Sequence, residues 1–598
     1  MKSLTKNALR AALKNGPVLL CFEILYKCLG FSLLLDAAER GRAALLHSGS
    51  FAYISQENFP ALLGRPQALL ALAGLAAALL YYTYFEITAL ILCCDAGWQG
   101  KSLSLWALCK TAFFRSLHIF HYKNLPVALL LLPAVALSAL PVASGYLAAF
   151  QVPEFIMDYI QSVPALAAAF LLLLVLVHIL LLFILFSLPA VILQRERFIG
   201  SLRATAALLK GKKLRTLLRL LGCILLFLLL AAAVFCLAVL ALWAGCRWAN
   251  PADGGQSSFI FHFLRWNAAG AILFSILGTL ALCAGVVALY HSYRGDAPGQ
   301  SPRRSPFWRR VLALPAALLL LFFFSESEWG GLYNVIFPGT AVVAHRAGAA
   351  FAPENTVAAL RQAIEAQANI AEIDVQQTRD GALIVLHDAN FKRTTGLDQA
   401  VADTDYAQVQ GLDAGAYYSP AFAGEPVPTL QAMLDAARGK IRLMIELKAD
   451  GRSQDLVAKT VEQIQQAGME RQCMIASMNL DLLRQAKSLA PDIATYYITV
   501  LLLSDQYDLD YVDGYSIETS FVSPVLVSQV HAAGKALYVW TANRDDNLQK
   551  ILRLGADGVV TDNPHLARYY LDAAGDNLAL DFWLDLLYPG SGEKNPPA

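Results

Sequence analysis

The sequence predicts two unlike parts in one chain: an N-terminal all-α multi-span membrane domain and a C-terminal α/β (β/α)8 TIM barrel. Three observations predict this. Hydrophobic residues make up 57% of the 598 and charged residues 16%, against roughly 45–50% and about 25% in soluble domains, which excludes both a wholly soluble chain and a disordered one. The net charge of +1 is a cancellation, because residues before 341 carry 27 basic and 13 acidic side chains whereas residues 341–570 carry 19 and 28. Finally, long apolar runs give way after Gly330 to runs of four to seven residues separated by helix-like stretches. The boundaries expected are a membrane domain over 1–330, a barrel over 340–571 and a tail over 572–598.

A membrane span needs roughly 20 mainly apolar residues. Seven segments reach or approach that, over 17–36, 67–93, 125–150, 164–193, 220–246, 266–290 and 308–324. The last is the shortest, with an uninterrupted apolar core of 14 residues from Val311 to Phe324 and Trp308 as its anchor. The first is followed by further spans and by no small-x-small cleavage pattern, so it is read as a span and not a signal peptide. Basic loops resist translocation, so alternate connections show which side is cytoplasmic. Lys2, Lys6, Arg10 and Lys14 precede the first span, Lys101, Lys110, Arg115 and Lys123 follow the second, eight basic residues fill 195–219, and five fill 294–310. The opposite loops carry three, none and two. This places the N-terminus in the cytoplasm of a multi-pass cell-membrane protein and, with an odd number of spans, everything after Phe324 outside it.

The basic loops over 98–123 and 195–219 are interleaved with Leu, Phe and Ala, which suits either amphipathic helices on anionic lipid or ordinary positive-inside connections. Glu23 and Lys27 lie four apart and share a helix face, while Glu86 and His178 have no partner nearby in sequence. Nine of the ten cysteines fall before residue 341, where a thiol packs as a small apolar group. Cys473 is alone in the acidic part, so a disulfide cannot staple it and its own core must hold it together.

In that part the strand candidates are 341–344, 371–376, 383–386, 441–447, 473–476, 493–498, 514–517 and 536–540. Eight strands alternating with helices over this length suit a closed barrel, whose chemistry sits at the C-terminal strand ends. There the sequence places His345-Arg346, Glu372 and Asp374, His387-Asp388, Glu446 and Lys448, and Trp540 followed by Asn543. Residues i and i+2 of a strand point to one face, so Glu372 projects with Asp374, and Glu446 with Lys448. Neighbouring carboxylates repel unless a cation or proton intervenes. Converging in one barrel mouth, Glu372, Asp374 and Glu446 offer oxygen ligands to a hard divalent cation, Mg2+ or Ca2+. His345 and His387 could divide general acid and base duties, and Arg346 and Lys448 suit an anionic phosphoryl group. Any one of these residues could equally be a structural hydrogen-bonding group; their common location is what points to a site.

The segment His345-Arg346-Ala347-Gly348, continued by Pro353-Glu354-Asn355-Thr356, resembles the opening motif of glycerophosphodiester phosphodiesterases. Glu372-Ile373-Asp374, Thr378-Arg379-Asp380-Gly381, Leu386-His387-Asp388, Leu412-Asp413-Ala414-Gly415, Gly424 to Leu430, Glu446-Leu447-Lys448, Val539 to Asn543 and Thr561-Asp562-Asn563-Pro564 continue the likeness in order over about 340–570. The multi-span region is similar in composition to the membrane domain of some members. The resemblance implies a barrel with an insertion after the third strand, here 389–430, and metal-dependent hydrolysis to glycerol 3-phosphate and an alcohol. It implies His345 and His387 as the acid/base pair, Glu372, Asp374 and Glu446 as metal ligands, and Arg346, Lys448 and Trp540 as substrate-binding residues. It further implies attack by the substrate's own glycerol hydroxyl, with a cyclic phosphate then opened by water, an intramolecular route favoured by tethering.

One departure stands out. Ala347 replaces the Gly that usually follows His-Arg, at a cost of roughly 1 kcal/mol if that position needs positive φ. Pro353 to Thr356 is expected chiefly to start the next helix. Phospholipase D- or C-like cleavage of intact lipids by the same barrel and a catalytically silent lipid-binding or transport protein are the alternative functions. The partners expected are the diester substrate and the bilayer, with no nucleic acid.

Overall fold

The computed structural model describes residues 2–49, 53–121, 124, 126, 154–249, 256–299, 339–449, 455–504 and 506–572. The expected spans over 125–150 and 308–324, and the tail from 573, lie outside the described residues. Among the described residues, three helical stretches are each long and apolar enough to cross a membrane: Pro66–Trp98, Leu228–Ala249 and Ile276–Arg294. They coincide with three of the seven expected spans. The first and fourth expected spans lie within helices Gly16–Gly49 and Pro164–Gln194. The latter exposes Leu171, Leu172, Leu173 and Leu176, and a helix that turns leucine outward suits lipid, not water.

Packing among these helices depends on small residues and one buried charge cluster. A Cβ on Gly97 would sit 1.9 Å from the Ala11 carbonyl oxygen, so only glycine lets helix Lys2–Lys14 lie against helix Pro66–Trp98. Lys27 Nζ lies 3.8 Å from Glu23 and 3.1 Å from Glu86, all three being buried. Glu86, which has no partner near in sequence, finds one across the helix pair. The side chain of His178 lies outside the described residues. Of the two interleaved basic loops, each contains a helix, Leu105–Ser116 and Phe198–Leu209, and Trp106, Phe114 and Ile199 on them are exposed. Arg115 donates to the carbonyl of Ile192 at 2.6 Å, occupying one of the free carbonyls at the end of helix Pro164–Gln194.

The described strands are β1 (Tyr53–Ser55), β2 (Ala341–Ala344), β3 (Ile370–Gln377), β4 (Leu383–Val385), β5 (Arg442–Leu447), β6 (Cys473–Ser477), β7 (Ala494–Thr499), β8 (Leu502–Ser504), β9 (Gly514–Glu518), β10 (Ala536–Trp540) and β11 (Gly558–Thr561). Eight of them form the closed parallel barrel, in the order β2, β3, β5, β6, β7, β9, β10, β11 and back to β2. The expected strand over 383–386 is not one of the eight. It is β4, antiparallel to β3 with Val375 opposite Val385, a hairpin flap on the barrel wall. The eighth wall strand is β11, whose Gly558-Val559-Val560-Thr561 is a short run that composition alone does not set apart from the helix before it. The insertion over 389–430 accordingly follows the second wall strand and its hairpin, not the third.

Alternation sorts the side chains. Val343, Ile370, Met444, Met474, Ala476, Tyr496, Ile498, Tyr538 and Val560 form the barrel interior, whereas Ile373, Ile445, Ile475, Tyr497, Ile517 and Val539 face the helix ring. Tyr496 and Tyr538 stack at 4.8 Å between centroids. They fit because β9 and β11 begin with glycine; a Cβ on Gly514 would meet the Tyr496 ring at 2.3 Å and the Ala536 carbonyl oxygen at 2.9 Å. Gly514→Ala is therefore expected to destabilise the barrel by about 1–3 kcal/mol through overpacking, measured as a fall in its denaturation midpoint.

Candidate active site

The site is built by the inward positions at the C-terminal ends of the wall strands. On β3 these are Glu372 and Asp374, and the β3–β5 register sets Asp374 directly beside Glu446. Carboxylate oxygens of Glu372, Asp374 and Glu446 come within 4.8 Å of one another, all three residues being buried. Lys448 Nζ bridges two of them, 2.8 Å from Glu446 and 3.2 Å from Asp374. Glu372 accepts from the backbone N–H of Arg346 at 2.7 Å through one oxygen. Its other oxygen is buried and, among the described residues, unpartnered.

Three buried carboxylates this close cannot all be ionised without compensation, and they divide the load. Burial and the neighbouring Asp374 charge push Glu372 up to about 8. Burial acts in the same sense on Asp374, but Lys448, His387 and Arg346 outweigh it and hold Asp374 well below the usual carboxylate range. An oxygen-only donor set with an orphaned buried oxygen fits a hard divalent cation. Glu372, Asp374 and Glu446 are the residues that would hold it.

The two histidines enter by different routes. His345 follows β2, and its Nδ1 lies 2.7 Å from Asp562, which follows β11 on the adjacent wall strand. Burial pushes the His345 ring toward its neutral form, but Asp562 outweighs this and raises its proton affinity. Asn543 holds the second oxygen of Asp562 at 2.5 Å. His387 reaches the mouth on the chain returning from β4, where Leu386 N–H bonds to the Asp374 carbonyl at 2.9 Å. Its Nδ1 lies 2.9 Å from Asp388. Each histidine is thus oriented by a carboxylate, leaving Nε2 for chemistry.

Arg346 and Lys448 both stand at the site, with carboxylates as their partners in the unliganded protein. Arg346 pairs with Glu354 at 2.9 Å. Arg393, from the insertion, donates to Glu354 at 2.7 and 2.8 Å and to Asp388 at 2.7 and 3.0 Å. A continuous ionic chain therefore runs from Arg346 through Glu354, Arg393 and Asp388 to His387. Trp540, at the end of β10, is fixed by an indole bond to the Ser516 carbonyl at 2.9 Å.

Several contributors were not assigned a role from sequence. Asp562 meets a histidine 217 residues away and Glu354 meets Arg393 across 39 residues, whereas Asp388 lies beside its histidine and five residues from Arg393. Asn355 corrects the expectation that Pro353–Thr356 mainly starts a helix. Thr356 does cap helix Val357–Glu365, accepting from Ala359 N–H at 3.2 Å. Asn355 instead donates to the Asp374 carboxylate at 2.7 Å and accepts from its backbone N–H at 3.1 Å, fixing the Asp374 rotamer. Ala347 adopts φ 66°, as the departure from glycine anticipated. Its methyl is fully buried, which returns about 0.8 kcal/mol against the backbone cost.

With this geometry in place, comparison with known proteins decides the family. Residues 345–566 match the glycerophosphoryl diester phosphodiesterase family, and residues 5–304 match the membrane domain of glycerophosphoryl diester phosphodiesterase. The chain belongs to the glycerophosphodiester phosphodiesterase family. The glycerophosphodiester phosphodiesterase of Caldanaerobacter subterraneus is 32% identical over 230 residues, covering 38% of this chain and 95% of the relative. That of Bacillus altitudinis is 29% identical over 236 residues, covering 38% and 96%. Among solved structures, the Oleispira antarctica phosphodiesterase in complex with sn-glycerol-3-phosphate is 29% identical, with a TM-score of 0.36, covering 39% of this chain and 96% of that one. This phosphodiesterase is therefore a membrane-domain member with a TIM-barrel catalytic part.

The Asp562–His345 pair generates a pH prediction. A histidine whose proton affinity is raised by a carboxylate loses that increment when the carboxylate is made neutral. Asp562→Asn is expected to move to lower pH any pH–rate limb that His345 contributes. A profile of kcat/KM against pH measures it.

Proposed function

We propose that the barrel hydrolyses glycerophosphodiesters to glycerol 3-phosphate and an alcohol with the help of a divalent cation, Mg2+ or Ca2+. The observation that carries this is the convergence of Glu372, Asp374 and Glu446 between two carboxylate-oriented histidines. A cation held by that trio would neutralise phosphate charge and acidify a nearby hydroxyl. Around it, Arg346 and Lys448 exchange carboxylate partners for phosphate oxygens, and Trp540 packs against the glycerol moiety. One of His345 and His387 takes the proton of the attacking hydroxyl while the other protonates the leaving alcohol oxygen. The duties then reverse when water opens the intermediate.

In this reading the membrane domain runs to about residue 330, the catalytic barrel spans 340–571 and residues 572–598 form a tail. The barrel lies outside the cytoplasm, at the cell membrane. The alternation of basic loops supports this, as does the antiparallel pairing of β1 with β8. β1 follows the first span, so its contact with the barrel requires an even number of crossings between residues 55 and 341, as the six remaining spans supply. Neither phospholipase-like cleavage of intact lipids nor a silent scaffold is favoured by the relatives.

The test is a product assay on the full-length chain with glycerophosphodiesters as substrates. Release of glycerol 3-phosphate is expected, abolished by a chelator and restored by Mg2+ or Ca2+. His345→Ala and His387→Ala are each expected to lower kcat by about 100-fold or more. A loss of only a few-fold in either variant would remove that histidine from the proposed pair.

A further inference from the structure

The first loop of the membrane domain does more than join two helices, because it is docked on the catalytic end of the barrel. β1 pairs antiparallel with β8, with Tyr53 opposite Ser504, Ile54 opposite Leu503 and Ser55 opposite Leu502. β8 belongs to the connection that leaves β7 at its C-terminal end, the end at which the chemistry is assembled. The contact is knitted from both sides. Gln56 accepts from the Val500 N–H at 2.6 Å, and Arg42 donates to the Ser504 carbonyl at 2.6 Å. Tyr53 packs on the barrel's main core, while Leu503 packs on the small core formed by Leu45, Leu46, Ile54, Leu62 and Ala68. Each domain thus lends a side chain to the other's interior.

The residue after Gln56 is Glu57, and it lines a cavity of about 340 Å³ together with His387, Glu446, Lys448, Met478 and Leu482. One wall of this cavity is therefore made by a loop 319 residues before Gln376, the nearest of its other lining residues in the chain. Outside the proposed metal trio, Glu57 is the acidic side chain of that lining. Among the described residues it has no ion-pair partner, whereas the lining's Lys448 is held by Asp374 and Glu446. Partial burial, reinforced by the nearby Asp481 carboxylate, raises its proton affinity above the ordinary glutamate value. An approaching cation offsets both effects by favouring the ionised carboxylate. Met478 and Leu482 beside it offer apolar surface suited to the carbon skeleton of an amine.

We propose that Glu57 is a specificity-determining residue contributed by the membrane domain, its carboxylate receiving the positively charged amine of the leaving alcohol. Glycerophosphodiesters of cationic alcohols are then preferred over those of neutral polyols. The proposal rests on the phosphodiesterase reading of the barrel and names the alcohol class that this reading leaves open. The cavity joins the two halves of such a substrate. Its phosphate faces Lys448 and His387, and its amine faces Glu57.

The experiment compares kcat/KM of the full-length chain, in detergent or nanodiscs, for glycerophosphocholine and glycerophosphoglycerol. Glu57→Gln is expected to lower kcat/KM for glycerophosphocholine about tenfold, chiefly through KM. Glycerophosphoglycerol should lose less, so that the ratio of the two kcat/KM values falls. Glu57→Asp, which keeps the carboxylate, should restore most of that ratio. Equal effects on the two substrates, or none on either, would overturn the assignment of Glu57 while leaving the phosphodiesterase reading standing. If the unmodified chain turns over neither diester, that underlying reading fails first.

Discussion

The catalytic end of this protein is organised around one electrostatic constraint, three carboxylates forced together by strand geometry. Glu372 and Asp374 share a face of β3, and the β3–β5 register adds Glu446 beside them. Left alone they would repel, so everything nearby serves to compensate them. Lys448 bridges two, a backbone N–H meets the third, and Asn355 clamps Asp374 from both ends. The remaining deficit appears as the raised proton affinity of Glu372. A carboxylate whose proton affinity is raised in this way is well suited to exchange its proton for a cation.

Outside that centre, charge is passed along in chains of alternating sign. The run from Arg346 through Glu354, Arg393 and Asp388 to His387 couples a phosphate-binding candidate to an acid/base candidate through the insertion. On the opposite flank, Asn543 and Asp562 orient His345. These chains position rings and guanidinium groups that would otherwise be free to rotate. They also explain why the insertion over 389–430 is part of the site and not an ornament. It supplies Arg393, the joint of the longer chain.

The two domains meet at the same end. The β1–β8 pairing and the exchanged packing of Tyr53 and Leu503 bring the barrel mouth against the first membrane-domain loop. Anchoring alone would be satisfied by any flexible tether. A two-stranded ribbon with reciprocal burial fixes an orientation, and it brings Glu57 of the membrane domain to the cavity lined by His387 and Lys448.

Much of this was legible in the residues. Composition and the split of charge separated the domains, and two-residue periodicity put Glu372 with Asp374 and Glu446 with Lys448. Ordered motifs supplied the remaining site residues, since these properties are local and survive without knowledge of the fold. The hairpin nature of 383–385, the wall strand 558–561, the pairing of Glu86 with Lys27, the role of Asn355 and the arrival of Glu57 at the mouth were not. Each depends on which segments lie side by side. Strand direction, register and helix contacts are decided when the whole chain closes its cores, and a one-dimensional pattern carries the propensity for a strand but not the identity of its neighbour. Local patterns in the residues carried the candidate chemistry, because they need no knowledge of neighbours; closing the cores chose which distant groups orient it and which loop stands at its rim.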